Sequence, residues 1–174
     1  MTQSHKGYSL QITSGKNWWV RWFDFVPLYY AASQGSPYIQ NNKATFNNDA
    51  GLQTLTFINK MFANKWTSYD FTASDDPLAA GTVLGAVRGP WDIDRYQKQF
   101  PEVLKTIRIG PMPTQTGEPG VATMADSKGI VMFSTSNVQA DAWKFIQWVY
   151  SDPKHDRRWL DSTAFRHARE DRTR

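Results

Sequence analysis

Two aspartates, Asp92 and Asp94, stand directly after a Gly89-Pro90 corner and the bulky Trp91. Paired carboxylates are what glycoside hydrolysis needs, one to protonate the leaving group and one to act as base or nucleophile. Aspartates just past such a turn also cap helices, because their short side chains accept backbone N–H bonds. The capping reading is preferred here, and a polysaccharide hydrolase working through Asp92 and Asp94 is kept as the rival. Turnover of a glycoside, abolished by Asp92→Asn or Asp94→Asn, would favour that rival.

Other reactive chemistry is missing from the sequence. There is no cysteine, so thiolate nucleophiles, disulfides and cysteine-based zinc sites are all excluded. The three histidines, His5, His155 and His167, are far apart and belong to no ligand motif. No GxSxG elbow and no glycine-rich phosphate loop occurs. No metal, no cofactor and no enzymatic activity are expected.

Aromatic rings are what the chain has in excess, with eight Trp, seven Tyr and ten Phe. A sugar has apolar C–H faces and hydroxyl edges, so a protein that holds one needs flat rings and polar groups beside them. Two clusters have that mixture: Trp91 with Arg88, Asp92 and Asp94, and Trp18-Trp19 with Arg21, Trp22 and Asp24. Rings on helical stripes, such as Phe62, Trp143 and Trp148, are read as core. Trp91, just past a strand end at a rigid turn, is read as a site residue, because ligands of α/β proteins collect at strand ends.

The bulk properties are those of a soluble globular protein. A chain of 174 residues with 40% hydrophobic and 21% charged content can bury one good core. The net charge of +4 does not imply a nucleic-acid partner. Lys and Arg are dispersed, and the basic end interleaves Asp156, Asp161, Glu170 and Asp171 with its arginines. No apolar run is long enough to span a bilayer. The first ten residues carry charge without an apolar segment, so no signal peptide is expected, and the chain as given would stay in the cytoplasm.

The elements that must position these residues alternate between strand and helix, which predicts an α/β layer architecture. Strands are expected at 8–13, 83–87, within 106–113 and at 129–134. Helices are expected from near Pro27 to residue 33, over 49–64, from Trp91 to about Gln99, over 138–150, and after Asp152-Pro153. In the second of these, Leu52, Leu55, Ile58, Met61 and Phe62 form one apolar stripe. Ser136 to Gln139 has the form of a capping box.

Six segments in this order resemble the extracytoplasmic sugar-binding proteins of ABC importers, the maltose-binding-like group. They are WFDFVPLYYAASQG, ATFNNDAGLQTLTFINKMF, LAAGTVLGAVRGPW, IRIGPMPTQTG, KGIVMFSTSNVQADAWKFIQWVYSD and WLDSTAFRHARED, together spanning Trp22 to Asp171. The resemblance implies a periplasmic-binding-protein-like (type II) α/β lobe. It implies a carbohydrate ligand, ABC permease subunits as partners and an extracytoplasmic location for the family. In that family the Trp of Gly-Pro-Trp packs on a sugar ring, so Trp91 takes that role by resemblance. Trp22, Asp24 and Trp19 lie in the aromatic lead that faces the cleft in relatives, and Arg88 and Asp92 flank Trp91.

The family differs from this chain at identifiable places. It usually has Gly-Gly where Gln34-Gly35 stands, Ala-Met near Leu84-Gly85, and Pro at the position of His167. Its chains are over twice as long, so the resemblance implies a fragment. Residues 1–124 would belong to the second lobe, and 125–174 would cross back towards a first lobe that is mostly missing. The stripe of Trp143, Phe145 and Ile146 would then be partly uncovered, giving a third reading as a protein-interaction or self-associating surface. Concentration-dependent mass without a sugar response would favour that reading.

Overall fold

The computed structural model describes residues 7–12, 15–71, 75–124 and 129–163. His5, His167 and the basic end beyond residue 163 lie outside the described residues. The chain divides into two compact units, one comprising 1–88 with 106–124 and the other 89–105 with 125–174.

The first unit opens with strand β1 (Tyr8–Gln11) and helix α1 (Trp18–Ser33). A hairpin of β2 (Ile39–Gln40) and β3 (Lys43–Ala44) follows, then helix α2 (Asp49–Ala63) and strand β4 (Val83–Ala86). β1 and β4 pair in parallel, with Tyr8 opposite Val83 and Leu10 opposite Gly85. Asn41 and Asn42 both have positive φ, 52° and 57°. That conformation suits a two-residue hairpin loop, and Asn tolerates it better than most residues. The core gathers Ile12, Leu28 and Met61, with Leu10, Phe57, Ile58, Phe62 and Met112 packed against them. Thr67 closes its edge, accepting from the Ile12 N–H at 3.1 Å and donating to the Ile12 carbonyl at 3.0 Å.

α1 begins well before Pro27, where the sequence placed its start, and Pro27 sits inside it. An internal proline costs about 3 kcal/mol, whereas burying one large apolar side chain contributes roughly 1.5–3 kcal/mol. The burial of Val26, Pro27, Leu28, Tyr29 and Ala31 along this helix outweighs that loss. At its far end Gln34 takes the left-handed conformation, φ 54° and ψ 37°, and the Gly35 N–H donates to the Tyr30 carbonyl at 2.9 Å.

α2 is where the sequence placed it, and Ile58, Met61 and Phe62 of the expected stripe reach the core, but its first half buries a different face. Leu52 is 66% exposed and Leu55 54%, while Gly51, Thr54 and Met61 are buried. Gly51 explains the rotation. A Cβ there would collide with the Phe46 carbonyl, so only glycine lets the chain before the helix approach so closely. Thr54 satisfies its buried hydroxyl by donating to the Ala50 carbonyl at 2.8 Å. Asn48 caps the helix by accepting from the Gly51 N–H at 3.0 Å, and its amide donates to the Tyr29 hydroxyl at 3.1 Å. One side chain thereby joins α1 to α2.

The second unit holds helices α3 (Trp91–Gln99) and α4 (Pro101–Thr106), then α5 (Gln139–Ser151) and α6 (Pro153–Thr163). α4 was not foreseen; Pro101 at its first position is well placed, since that N–H has no helical partner to lose. The strands expected within 106–113 and over 129–134 are absent, and these segments run irregularly. A strand needs a neighbour for its N–H and C=O groups, and among the described residues neither segment has one. Val131 and Phe133 are accordingly exposed.

α5 starts at Gln139 without a side-chain cap. Ser136 instead accepts from the Val138 N–H at 3.3 Å, so the expected capping box does not form. Trp143 and Trp148, read as core, are 52% and 56% exposed, and Phe145 is exposed beside them. Asp152 caps α6 as expected, accepting from the Lys154 N–H at 2.8 Å.

Candidate functional site

The aromatic lead forms the first two turns of α1. Spacing of four residues brings Trp22 one turn above Trp18, and the two rings meet edge-to-face at 6.3 Å between centroids. Trp19 meets Trp18 at 6.2 Å in the same manner. Trp22 meets Tyr38 at 4.8 Å and Tyr38 meets Tyr30 at 5.9 Å, again edge-to-face. This is the arrangement the ring quadrupoles prefer. Trp18 and Trp19 are exposed, whereas Trp22, Asp24, Tyr30 and Tyr38 are half-buried. Burial, with Tyr30 alongside as a second cause, holds the Tyr38 hydroxyl above the usual tyrosine range. The result is a belt of rings whose outer members face solvent and whose inner members are locked by neighbours.

Tyr30 and Tyr38 were not among the sequence candidates. The Asn41-Asn42 turn was a signal that the chain reverses just after Tyr38. Nothing in the local pattern told which rings of α1 the returning segment would meet.

Arg88 follows β4 and belongs to the first unit. Its guanidinium donates to Gln11 Oε1 at 2.7 Å and lies 3.8 Å from Asp76 Oδ1. The buried Asp76 also accepts from the N–H groups of Leu78 and Ala79, both at 3.0 Å. Arg88 therefore ties the ends of the parallel strand pair to the turn that precedes β4.

Trp91 and Asp92 belong to the second unit. Trp91 is half-buried at the first position of α3, with the benzo edge of its indole over Gly89. Asp92 is buried and accepts from Arg95 Nε at 2.9 Å. The Arg95 guanidinium in turn lies 4.8 Å from the centre of the Tyr96 ring. Asp94 pairs with Lys98 at 2.8 Å. Both acids sit in the first turn, where the positive end of the helix dipole favours them. Two positions apart on a helix, they point roughly 200° away from each other. Each carboxylate is engaged by its own cation, and the two do not face one substrate as a hydrolytic pair must.

The first unit also has a groove of about 110 Å³, partly open to solvent, bordered by Leu28, Ala32, Phe57 and Pro113. None of the candidate residues borders it. Among the described residues no group of three or more His, Asp or Glu could hold a metal ion. No helix among them is long and apolar enough to cross a membrane.

Residues 4–155 match the family described as bacterial extracellular solute-binding protein. The chain belongs to this family. Solute-binding proteins of this kind are generally non-catalytic. A crystal structure of an uncharacterized protein from Listeria monocytogenes EGD-e is similar, with 32% sequence identity and a TM-score of 0.71. The match covers 98% of this chain and 44% of that one, so the present solute-binding chain spans less than half the length of its structural relative. No curated protein matches significantly. The mixed helix-and-strand architecture is consistent with a partial periplasmic-binding-like lobe.

Proposed function

We propose that the chain binds a carbohydrate, without turning it over, as part of a solute-binding protein that serves ABC-transporter uptake. The observation that carries this reading is the belt of rings on α1, from exposed Trp18 and Trp19 through Trp22 to Tyr38. Exposed indoles cost hydration free energy when nothing covers them, and a sugar's C–H face offers cover without demanding a fully apolar partner. Each unit has its own candidate ligand-binding residues in this reading: Trp19, Trp22, Asp24 and Arg88 in the first, Trp91 and Asp92 in the second. In this reading residues 1–124 are second-lobe chain and 125–174 return towards the first lobe. Membrane permease subunits are the downstream partner.

Intrinsic tryptophan fluorescence during titration with mono- and oligosaccharides tests the reading. Trp91→Ala and Trp22→Ala serve as the comparison variants. A saturable change in the unaltered chain, weakened in both variants, supports it. A folded chain that responds to no sugar overturns it.

A second reading is favoured by a separate observation. α5 exposes Phe145 and Trp148 on one face, with their rings stacked at 6.1 Å. An apolar face of that kind suits a protein contact, and self-association measured by light scattering would report it.

A further inference from the structure

We propose that Gly89 is a positioning residue whose missing side chain provides the seat for the Trp91 ring. The inference rests on the reading of Trp91 as a ligand-stacking ring. Gly89 has no positive φ, so its backbone conformation is open to any residue. The requirement for glycine comes from elsewhere. A Cβ built on Gly89 would fall within the envelope of Cε3, Cζ3 and Cη2 of Trp91, the outer edge of the indole.

The corner delivers the ring to that place. The Gly89 carbonyl accepts from the Asp92 N–H at 3.1 Å and the Pro90 carbonyl from the Ile93 N–H at 3.1 Å, which starts α3. Pro90, at φ −62°, fixes the direction in which the helix leaves. Trp91 is thus the first helical residue, and its side chain lies back across the glycine just before it. A ring resting on backbone loses little rotational freedom when a ligand stacks on it, which preserves affinity. With a methyl at position 89 the ring must leave its seat. The loss expected for a sugar that stacks on it is roughly two- to tenfold in affinity.

The seat is tested first without sugar, by fluorine NMR of protein carrying fluorotryptophan. The resonance that Trp91→Phe removes is that of Trp91. In Gly89→Ala that resonance shifts, while those of the remaining tryptophans and the circular dichroism stay unchanged. In unfolding experiments Gly89→Ala lowers the midpoint while Trp91 is present and has no effect in the Trp91→Ala background. That second arm covers the case in which the single variant folds poorly. The proposal is overturned if Gly89→Ala leaves the resonance in place, or if it lowers the midpoint equally in both backgrounds. If the ring moves as expected and no sugar binds the unaltered chain, the seat stands and the ligand reading falls, so the two fail separately.

Discussion

The indole of Trp22 meets the ring of Tyr38 edge-on, with 4.8 Å between centroids and 90° between planes. The segment that follows α1 is thereby fastened to the aromatic belt. Edge-to-face pairs contribute about 0.5–1.5 kcal/mol beyond area burial. Tyr38→Ala should cost at least that much in urea unfolding and loosen Trp22, whereas Tyr38→Phe should keep the ring contact and cost little near neutral pH.

The Tyr38 hydroxyl adds a pH dependence. Its folded-state pKa is raised above 10.0 by burial, with Tyr30 second, so the folded chain holds this proton more firmly than the unfolded chain. The associated stability is fully present below the unfolded value near pH 10 and is lost as pH rises through the folded value. Thermal midpoints measured from pH 9 upwards should fall more steeply for the unaltered chain than for Tyr38→Phe. Parallel curves would contradict the assignment.

Gln34 occupies a left-handed conformation that costs an L-residue roughly 1–2 kcal/mol. Glycine loses more chain entropy on folding, so the net gain expected for Gln34→Gly is about 0.5–1 kcal/mol by urea unfolding. Gly35→Ala should go the other way, since that residue has φ 89° and a Cβ would sit 3.1 Å from the Cβ of Ala122.

The face that α2 buries can be read from a set of variants. Met61→Ala should cost about 2–5 kcal/mol, and Gly51→Ala should destabilise by displacing the Phe46 carbonyl. Leu52→Ala and Leu55→Ala should stay within about 0.5 kcal/mol, because both side chains are exposed. Losses at Leu52 and Leu55 as large as that at Met61 would restore the full stripe read from the sequence.

Local chemistry was legible where one residue type decides the outcome. The start of α2 at Asp49, the Gly89-Pro90 corner before α3 and Asp152 before α6 were all read as helix boundaries and are. Tertiary choices were not legible. The start of α1 was missed because Pro27 reads as a helix entry, and burial of the residues around it is a property of the assembled unit. The first half of the buried face of α2 was misread because Leu52 and Leu55 advertise burial more loudly than Gly51, whose importance lies in how close Phe46 comes. The segment 129–134 has a strand's composition, but composition cannot supply a neighbouring strand. At the candidate site the types of ring could be read from the sequence. The contact of Trp22 with Tyr38 and the ties of Arg88 to Gln11 and Asp76 depend on distant segments meeting.

The most direct test of carbohydrate binding is calorimetric titration of the chain with the same range of mono- and oligosaccharides, run in parallel on Trp91→Ala. The account predicts saturable heat from at least one sugar, with affinity reduced tenfold or more in the variant. A folded chain that gives no heat with any sugar, or one whose binding is unchanged by Trp91→Ala, would contradict it.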